Sequence, residues 1–391
     1  MSNEIPLRYG LNPNLQPARA WSEQGELPIQ VRNGVPGYIN LMDALSAWPL
    51  VRELSIATGE PAAASFKHVS PAGAAIGLPL SSDLRKAYQI EESDLSPVAN
   101  AYIRARGGDL ISSYGDFAAV SETVDSTLAK VLSREVSDGI IAPGYDADAY
   151  SILSKKKDGK YLVIEIDENY EPSGYERRDV FGINLEQPRD ADPITEEIFS
   201  NVVTQKTELS PDARRDLLIA TITLRYTQSN SVCLAVNGQV IGLGAGQQSR
   251  IHCTRLACSK ADRWMLQQHP QVLDLPFRKE LRRSDRFIAR EQFISYQDMS
   301  PVERRHLQTM FTSGKVETLS ALERRNWINE FTTVLSHDAF IPFRDNIDRA
   351  QASGVKYVMQ PGGSIADTGV VKAADEYGMV MAFSGLRLFR H

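Results

Sequence analysis

Lys67 and His68 stand side by side within Ala62–Ala75 (AAASFKHVSPAGAA). A cation beside an imidazole suits proton transfer coupled to oxyanion formation. The imidazole takes and returns a proton near neutral pH, and the ammonium steadies a developing negative oxygen. The small-residue run ending in Phe66 reads as a buried strand, with Pro71 and Gly73 marking the turn after it. That reading puts both side chains at the carboxyl end of a strand, where an α/β sheet delivers groups to a ligand crevice. Taken alone, the pair reads more simply as a solvated strand-end charge and a satisfied core histidine.

Three other stretches carry groups of chemical interest. Arg8 and Tyr9, in a turn-rich opening (LRYGLNPN), form a pair able to clamp a phosphate or a carboxamide. Ser113-Tyr114-Gly115-Asp116 is a strand-to-turn site whose glycine lets backbone approach a ligand closely. Gly242–Arg250 (GLGAGQQSR) is a glycine-rich strand-to-helix turn able to present backbone N–H groups to an anion. Arg250 falls in the first turn of a helix expected over Ser249–Gln268, where an ordinary surface charge is the equal alternative. The turn is not a dinucleotide fingerprint, because Gln247 takes the place of the third glycine, and it lacks the Gly-Lys-Ser/Thr of a P-loop.

The elements that must position these groups are legible from periodicity. Leu41, Ala44, Leu45, Trp48 and Val51 recur at helical spacing, with Gly59 as the stop. From Ser81 to Asp167 helix and strand patterns alternate, the mark of a sheet covered by helices. They include a helix over Val124–Val136, a short strand at Ile140–Ala142 and a strand at Tyr161–Ile166. Lys155–Lys157 reads as a solvent-facing part of a charged loop or hairpin. The polar, proline-bearing stretch Glu168–Asp192 reads as a connection between halves. Ser210 caps a helix over Pro211–Leu224. Asn237-Gly238 then joins two strands, Val232–Val236 and Val240–Leu243, as a hairpin. Residues 270–330 lose the alternation and carry an arginine-rich face that reads as solvated, with a helix over Ala321–Leu335. The α/β pattern resumes with a helix to Ser353, a strand at Lys356–Met359, a helix at Thr368–Tyr377 and a strand at Val380–Phe383. The expected organisation is a first α/β subdomain over 1–175, a second over 176–269 and 331–391, and a helical insertion over 270–330.

With 391 residues the chain has ample core for two or three domains. A net charge of −6 gives no basic field for a nucleic acid polymer. No run approaches the roughly 20 apolar residues of a membrane span. Cys233, Cys253 and Cys258 have neither even number nor Cys-x-x-Cys spacing, which argues against a disulfide framework or zinc site. A cytoplasmic, reduced protein is expected.

Read together, Ser65–Ala75 (SFKHVSPAGAA), Tyr226–Val232 (YTQSNSV), Gly244–Leu256 (GAGQQSRIHCTRL), Pro342–Asn346 (PFRDN) and Leu386–Phe389 (LRLF) closely resemble the AICAR transformylase domain of the bifunctional purine-pathway enzyme. The resemblance runs from Leu7 to His391. At residues 14 and 15 the chain has Asn-Leu where many relatives have His-Gln. The family fold implied is a pair of three-layer α/β/α subdomains like cytidine deaminase, plus a helical insertion. The implied activity is formyl transfer from 10-formyltetrahydrofolate to the 5-amine of AICAR, here expected as a stand-alone transformylase. By motif, the ribonucleotide falls to Arg8, Tyr9, Lys67, His68, Gly115, Asp138, Asn230, Arg250, Phe340 and Arg387. Ile251, Asp345, Ser364 and Ile365 are implied to line the folate site. A homodimer with active sites at its interface is also implied. Lys67, His68 and Asn230 are assigned to catalysis, with no redox cofactor or catalytic metal and with room for a structural monovalent cation. Two competing readings are a catalytically silent nucleotide-binding homologue and a zinc nucleobase deaminase. The second needs His-x-Glu and Cys-x-x-Cys, which the chain lacks.

Overall fold

Strand sequences such as Ala62–Phe66 and Val232–Ala235 are buried on both faces. A sheet built from them needs helices above and below. The computed structural model describes residues 3–23, 25–312 and 316–391, so residues 1, 2, 24 and 313–315 of the expected domains lie outside the described residues. In chain order its strands are β1 (Glu4–Leu7), β2 (Ala18–Trp21), β3 (Ile29–Asn33), β4 (Ala62–Lys67), β5 (Ser70–Ile76), β6 (Asp116–Val120), β7 (Ser137–Ala142) and β8 (Leu162–Ile166). They continue with β9 (Tyr175–Val180), β10 (Ile183–Pro188), β11 (Val232–Val236), β12 (Gln239–Gly244), β13 (Thr333–His337), β14 (Val355–Gln360) and β15 (Val380–Phe383).

Eleven strands form one mixed sheet in the order β15-β14-β13-β11-β12-β5-β4-β6-β7-β8-β3. The order contains a repeat. In each half a hairpin (β4–β5 or β11–β12) is followed by three parallel strands, the first antiparallel to the hairpin's leading strand. The halves join where β12 meets β5 at Gln239↔Ala75. Helices Tyr38–Thr58 and Pro211–Arg225 bury their apolar residues in one core, against one sheet face. Helices Pro97–Gly107, Ser126–Arg134, Arg250–Leu266, Asp345–Ala352 and Asp367–Glu376 fill the other. This is the expected three-layer α/β architecture, built twice.

Local expectations hold where periodicity or caps decide them. Ser210 accepts from the Ala213 N–H at the start of Pro211–Arg225, and the Asn237-Gly238 turn joins β11 to β12. Others change. The turn expected at Pro71 and Gly73 lies earlier: β5 runs through both residues, and His68 and Val69 make the turn with φ of 54° and 61°. Helix Ala321–Asn329 stops short, because residues 333–337 form β13, where Val334 and Leu335 pair with β11 and Thr333 with Val355 of β14. The polar stretch 168–192 contains β9 and β10, a ribbon exposed along its whole length. Lys156 does not face solvent; its ammonium donates to the Leu132 and Glu135 carbonyls, and burial pushes its pKa down to about 8. In residues 270–330, Arg283 reaches Glu135 and the Tyr88 carbonyl, and Arg290 reaches the Ala87 carbonyl. Part of the basic face therefore fastens the helical segment to the first half. Among the described residues no helix is long and apolar enough to cross a membrane.

Candidate active site

Register places Lys67, Gly115, Asp138 and Asn230 along one edge of the sheet. The Lys67 end of β4 lies beside the beginnings of β6 and β7, because β4 runs antiparallel to β6 and β6 parallel to β7. The carboxyl-end rule therefore does not govern this half: Lys67 is at a carboxyl end, but Gly115 and Asp138 meet it at amino ends. In the second half the same edge carries the start of β11, the end of β12 and the carboxyl ends of β13, β14 and β15.

Around β4 the geometry is specific. The Lys67 ammonium donates to the Tyr114 carbonyl, and a Cβ on Gly115, whose φ is 78°, would lie 3.9 Å from that nitrogen. His68 is exposed on its left-handed turn. The Val69 N–H donates to Asp43 Oδ1 at 2.6 Å. Asp43 is buried in helix Tyr38–Thr58, and desolvation pushes its pKa up to about 6 against the opposing pull of the Val69 hydrogen bond and the His68 charge. Asp138 holds Lys157 at 2.6 Å. Beneath Lys67, Ser65 donates to Asp116 at 2.8 Å, and Asp116 pairs with Arg106 at 3.0 Å. This buried network fixes β4 against β6. Arg8 reaches the loop before helix Tyr38–Thr58, its backbone N–H donating to the Pro36 carbonyl at 3.0 Å, and its guanidinium lies 5.7 Å from the Tyr9 ring centre.

A second group gathers on β11–β13. Arg250 pairs with Asp338 and donates to Asn230 Oδ1 at 2.8 Å, while Asn230 Nδ2 donates to the Gln247 carbonyl at 2.8 Å. The Ser229–Asn230 peptide is cis. Asp338 also accepts from the Ser231 N–H at 2.8 Å. Arg250 is thus committed to a buried carboxylate rather than free in the first helical turn. Ile251 follows it, half-buried. Phe340 is half-exposed beyond β13, and Asp345 opens helix Asp345–Ala352, accepting from the Asn346 amide at 2.9 Å. In the loop after β14, the Ser364 N–H donates to Asp367 at 3.0 Å and the Ile365 side chain is fully exposed. Residues 386–391 fold back onto this group: the Leu388 N–H donates to the Asp338 carbonyl at 2.8 Å, and the Arg387 guanidinium sits 4.9 Å from the Phe389 ring centre.

Within one chain the two groups remain apart. β4 and β11 are separated by β5 and β12, three strand spacings or about 14 Å. Lys67, His68, Gly115 and Asp138 fall in the first group; Asn230, Arg250, Phe340, Asp345, Ser364 and Arg387 fall in or follow the second. A concavity of about 340 Å³ lies between Pro342–Arg344 and the helix beginning at Asp367, lined by Ala366, Gly369 and Val370 and not by Lys67 or His68. The motif reading missed Asp43 and Asp338. Asp43 had a signal, since helical spacing puts it on the stripe of Ala47, Leu50 and Leu54.

The family model described as AICARFT/IMPCHase bienzyme matches residues 1–260. The bifunctional purine biosynthesis protein PurH of Xylella fastidiosa strain M12 is 31% identical over 394 residues, covering 98% of this chain and 58% of that protein. PurH of Roseobacter denitrificans is 29% identical over 390 residues, covering 98% of this chain and 59% of its own length. The chain therefore spans a little over half the length of these curated relatives. With a family model matching well over half of its residues, the chain belongs to the AICARFT/IMPCHase bienzyme family.

Proposed function

We propose that the chain acts in purine biosynthesis as a formyltransferase, moving the formyl group of 10-formyltetrahydrofolate to the 5-amine of AICAR. The observation that carries this reading is the Lys67–His68 end of β4, where an exposed imidazole and an ammonium poised beside Gly115 stand at the edge that also holds Asn230 and Arg250. The PurH names of its relatives agree with it.

The acceptor amine is a weak nucleophile, its lone pair being drawn into the imidazole and carboxamide. His68 removes a proton as the amine nitrogen attacks the formyl carbon. Lys67, leaving the Tyr114 carbonyl, steadies the oxyanion of the tetrahedral intermediate together with the Asn230 amide. The bond from that carbon to N10 then breaks, and the proton held by His68 passes to N10. The formyl group has moved from one nitrogen to the other, and the proton the opposite way. No redox change is involved. Arg8, Tyr9, Arg250, Phe340 and Arg387 hold the ribonucleotide with Gly115 and Asp138, while Ile251, Asp345, Ser364 and Ile365 line the folate. Both half-sites serve one reaction in a homodimer, whose partner chain brings the second group to the first. The gap of about 14 Å between β4 and β11 supports that arrangement. So does the exposed apolar flank of Tyr38, Met42 and Leu45 on helix Tyr38–Thr58.

Formyl transfer from 10-formyltetrahydrofolate to AICAR by the purified chain is the direct test. His68→Ala should lower kcat at least 100-fold with nucleotide affinity nearly unchanged. A kcat close to that of the unmodified chain removes His68 as the base. Lys67→Met should depress kcat at least as strongly as it raises KM, since an oxyanion contact is made mainly in the transition state. A pure KM effect reassigns Lys67 to binding.

A further inference from the structure

Asp43 is a buried carboxylate that helix packing does not require. Its neighbours on the helical stripe, Ala47, Leu50 and Leu54, are apolar, and the helix hides their side chains in the core. Its hydrogen-bond donor is the Val69 N–H, 2.6 Å away, in a turn where His68 and Val69 both adopt left-handed φ. A β-branched residue such as Val69 resists that conformation, so the turn needs an external restraint. The restraint comes from the helix rather than from the hairpin itself. The charges acting on Asp43 come from His68 on the turn, Asp138 on β7 and Asp116 on β6. Only the first is of a sign that complements a carboxylate.

We propose that Asp43 is a positioning residue for the reaction, clamping the His68–Val69 turn through the Val69 amide and presenting its carboxylate to the imidazolium formed when His68 takes the amine proton. The inference rests on the formyltransferase reading above for its catalytic part. It assigns two duties to one carboxyl group, a hydrogen bond to backbone and a charge toward the ring. A buried carboxylate here weakens the fold at neutral pH, and a device of that kind persists where it serves a site.

Asp43→Asn keeps an oxygen for the Val69 N–H and removes the charge, whereas Asp43→Ala removes both. The expected result for Asp43→Asn is a loss in kcat of at least tenfold, nucleotide KM within twofold, and a melting temperature at pH 8 equal to or above that of the parent chain. Asp43→Ala should lose kcat at least as strongly, and the Val69 amide should exchange with solvent at least tenfold faster. An Asp43→Asn enzyme with parental kcat overturns the charge assignment. A kcat loss accompanied by a lower melting temperature overturns it too, because the carboxylate then serves only the fold. Should the unmodified chain show no formyl transfer, the functional reading fails while the clamp is still decided by Val69 exchange: unchanged protection in Asp43→Ala refutes it.

Discussion

Burial raises the Asp43 carboxyl from 3.8 to about 6, and the sign of that shift has a consequence for stability. The folded state holds this proton more tightly than the unfolded chain. The penalty is therefore absent below about pH 4, grows as pH rises toward 6, and stays constant above it. Holding the carboxyl at about 6 rather than 3.8 costs on the order of 2–3 kcal/mol at pH 8. Asp43→Asn removes the titration and should gain stability relative to the parent chain across pH 4–6.5, with the difference vanishing near pH 4. Thermal melts of both proteins between pH 4 and 8 measure it; a difference independent of pH contradicts the shifted carboxyl. At this scale the motif residues Lys67, His68, Asn230 and Arg250 were legible, because each stands in a long fixed string. The partners that engage them were not. Arg250 meets Asp338 and Asp43 meets Val69 across 88 and 26 residues of chain, separations that no local pattern encodes.

The hairpin β4–β5 shows why elements were read better than their ends. Its small residues mark the strand, but Pro71 and Gly73 read as a turn because both are turn formers. Pro71 instead sits at the register irregularity opposite Phe66, where a missing N–H is tolerated. Gly73 lies in β5 because helix Pro97–Gly107 crosses so closely that a Cβ there would press into the Ala105 carbonyl oxygen. Gly73→Ala should push that helix off the hairpin and cost about 2 kcal/mol or more, without touching any reacting group. Chemical denaturation measures the loss; a change under about 0.5 kcal/mol, the size of a neutral surface substitution, means the close approach is not there. The same logic explains β13. Its Thr333-Val334-Leu335 continues an apolar helical rhythm from Ala321, and only pairing with β11 and β14 makes it a strand. The ribbon β9–β10 escaped notice because its strands have no buried face to impose an alternation, and cross-strand pairs such as Gln187 with Glu176 hold it instead.

At the scale of the molecule, the doubled hairpin-and-parallel-strands pattern puts one of the two residue groups on each repeat and leaves them about 14 Å apart on a shared edge. A single reacting centre needs contacts near 3 Å from both. The homodimer proposed above would answer this by setting the first repeat of one chain against the second repeat of its partner, twice over. His68→Ala and Asn230→Ala then lie in different chains of any one site. In a heterodimer of the two variants, one site carries both lesions and the other carries neither. Each variant alone should be nearly inactive, while the co-expressed, doubly tagged heterodimer should recover about half the parental turnover per dimer. If His68 and Asn230 serve the same site from one chain, every site in that heterodimer contains a lesion and no activity returns. Recovery thus separates an intersubunit site from a closed single-chain site without any knowledge of bound ligand.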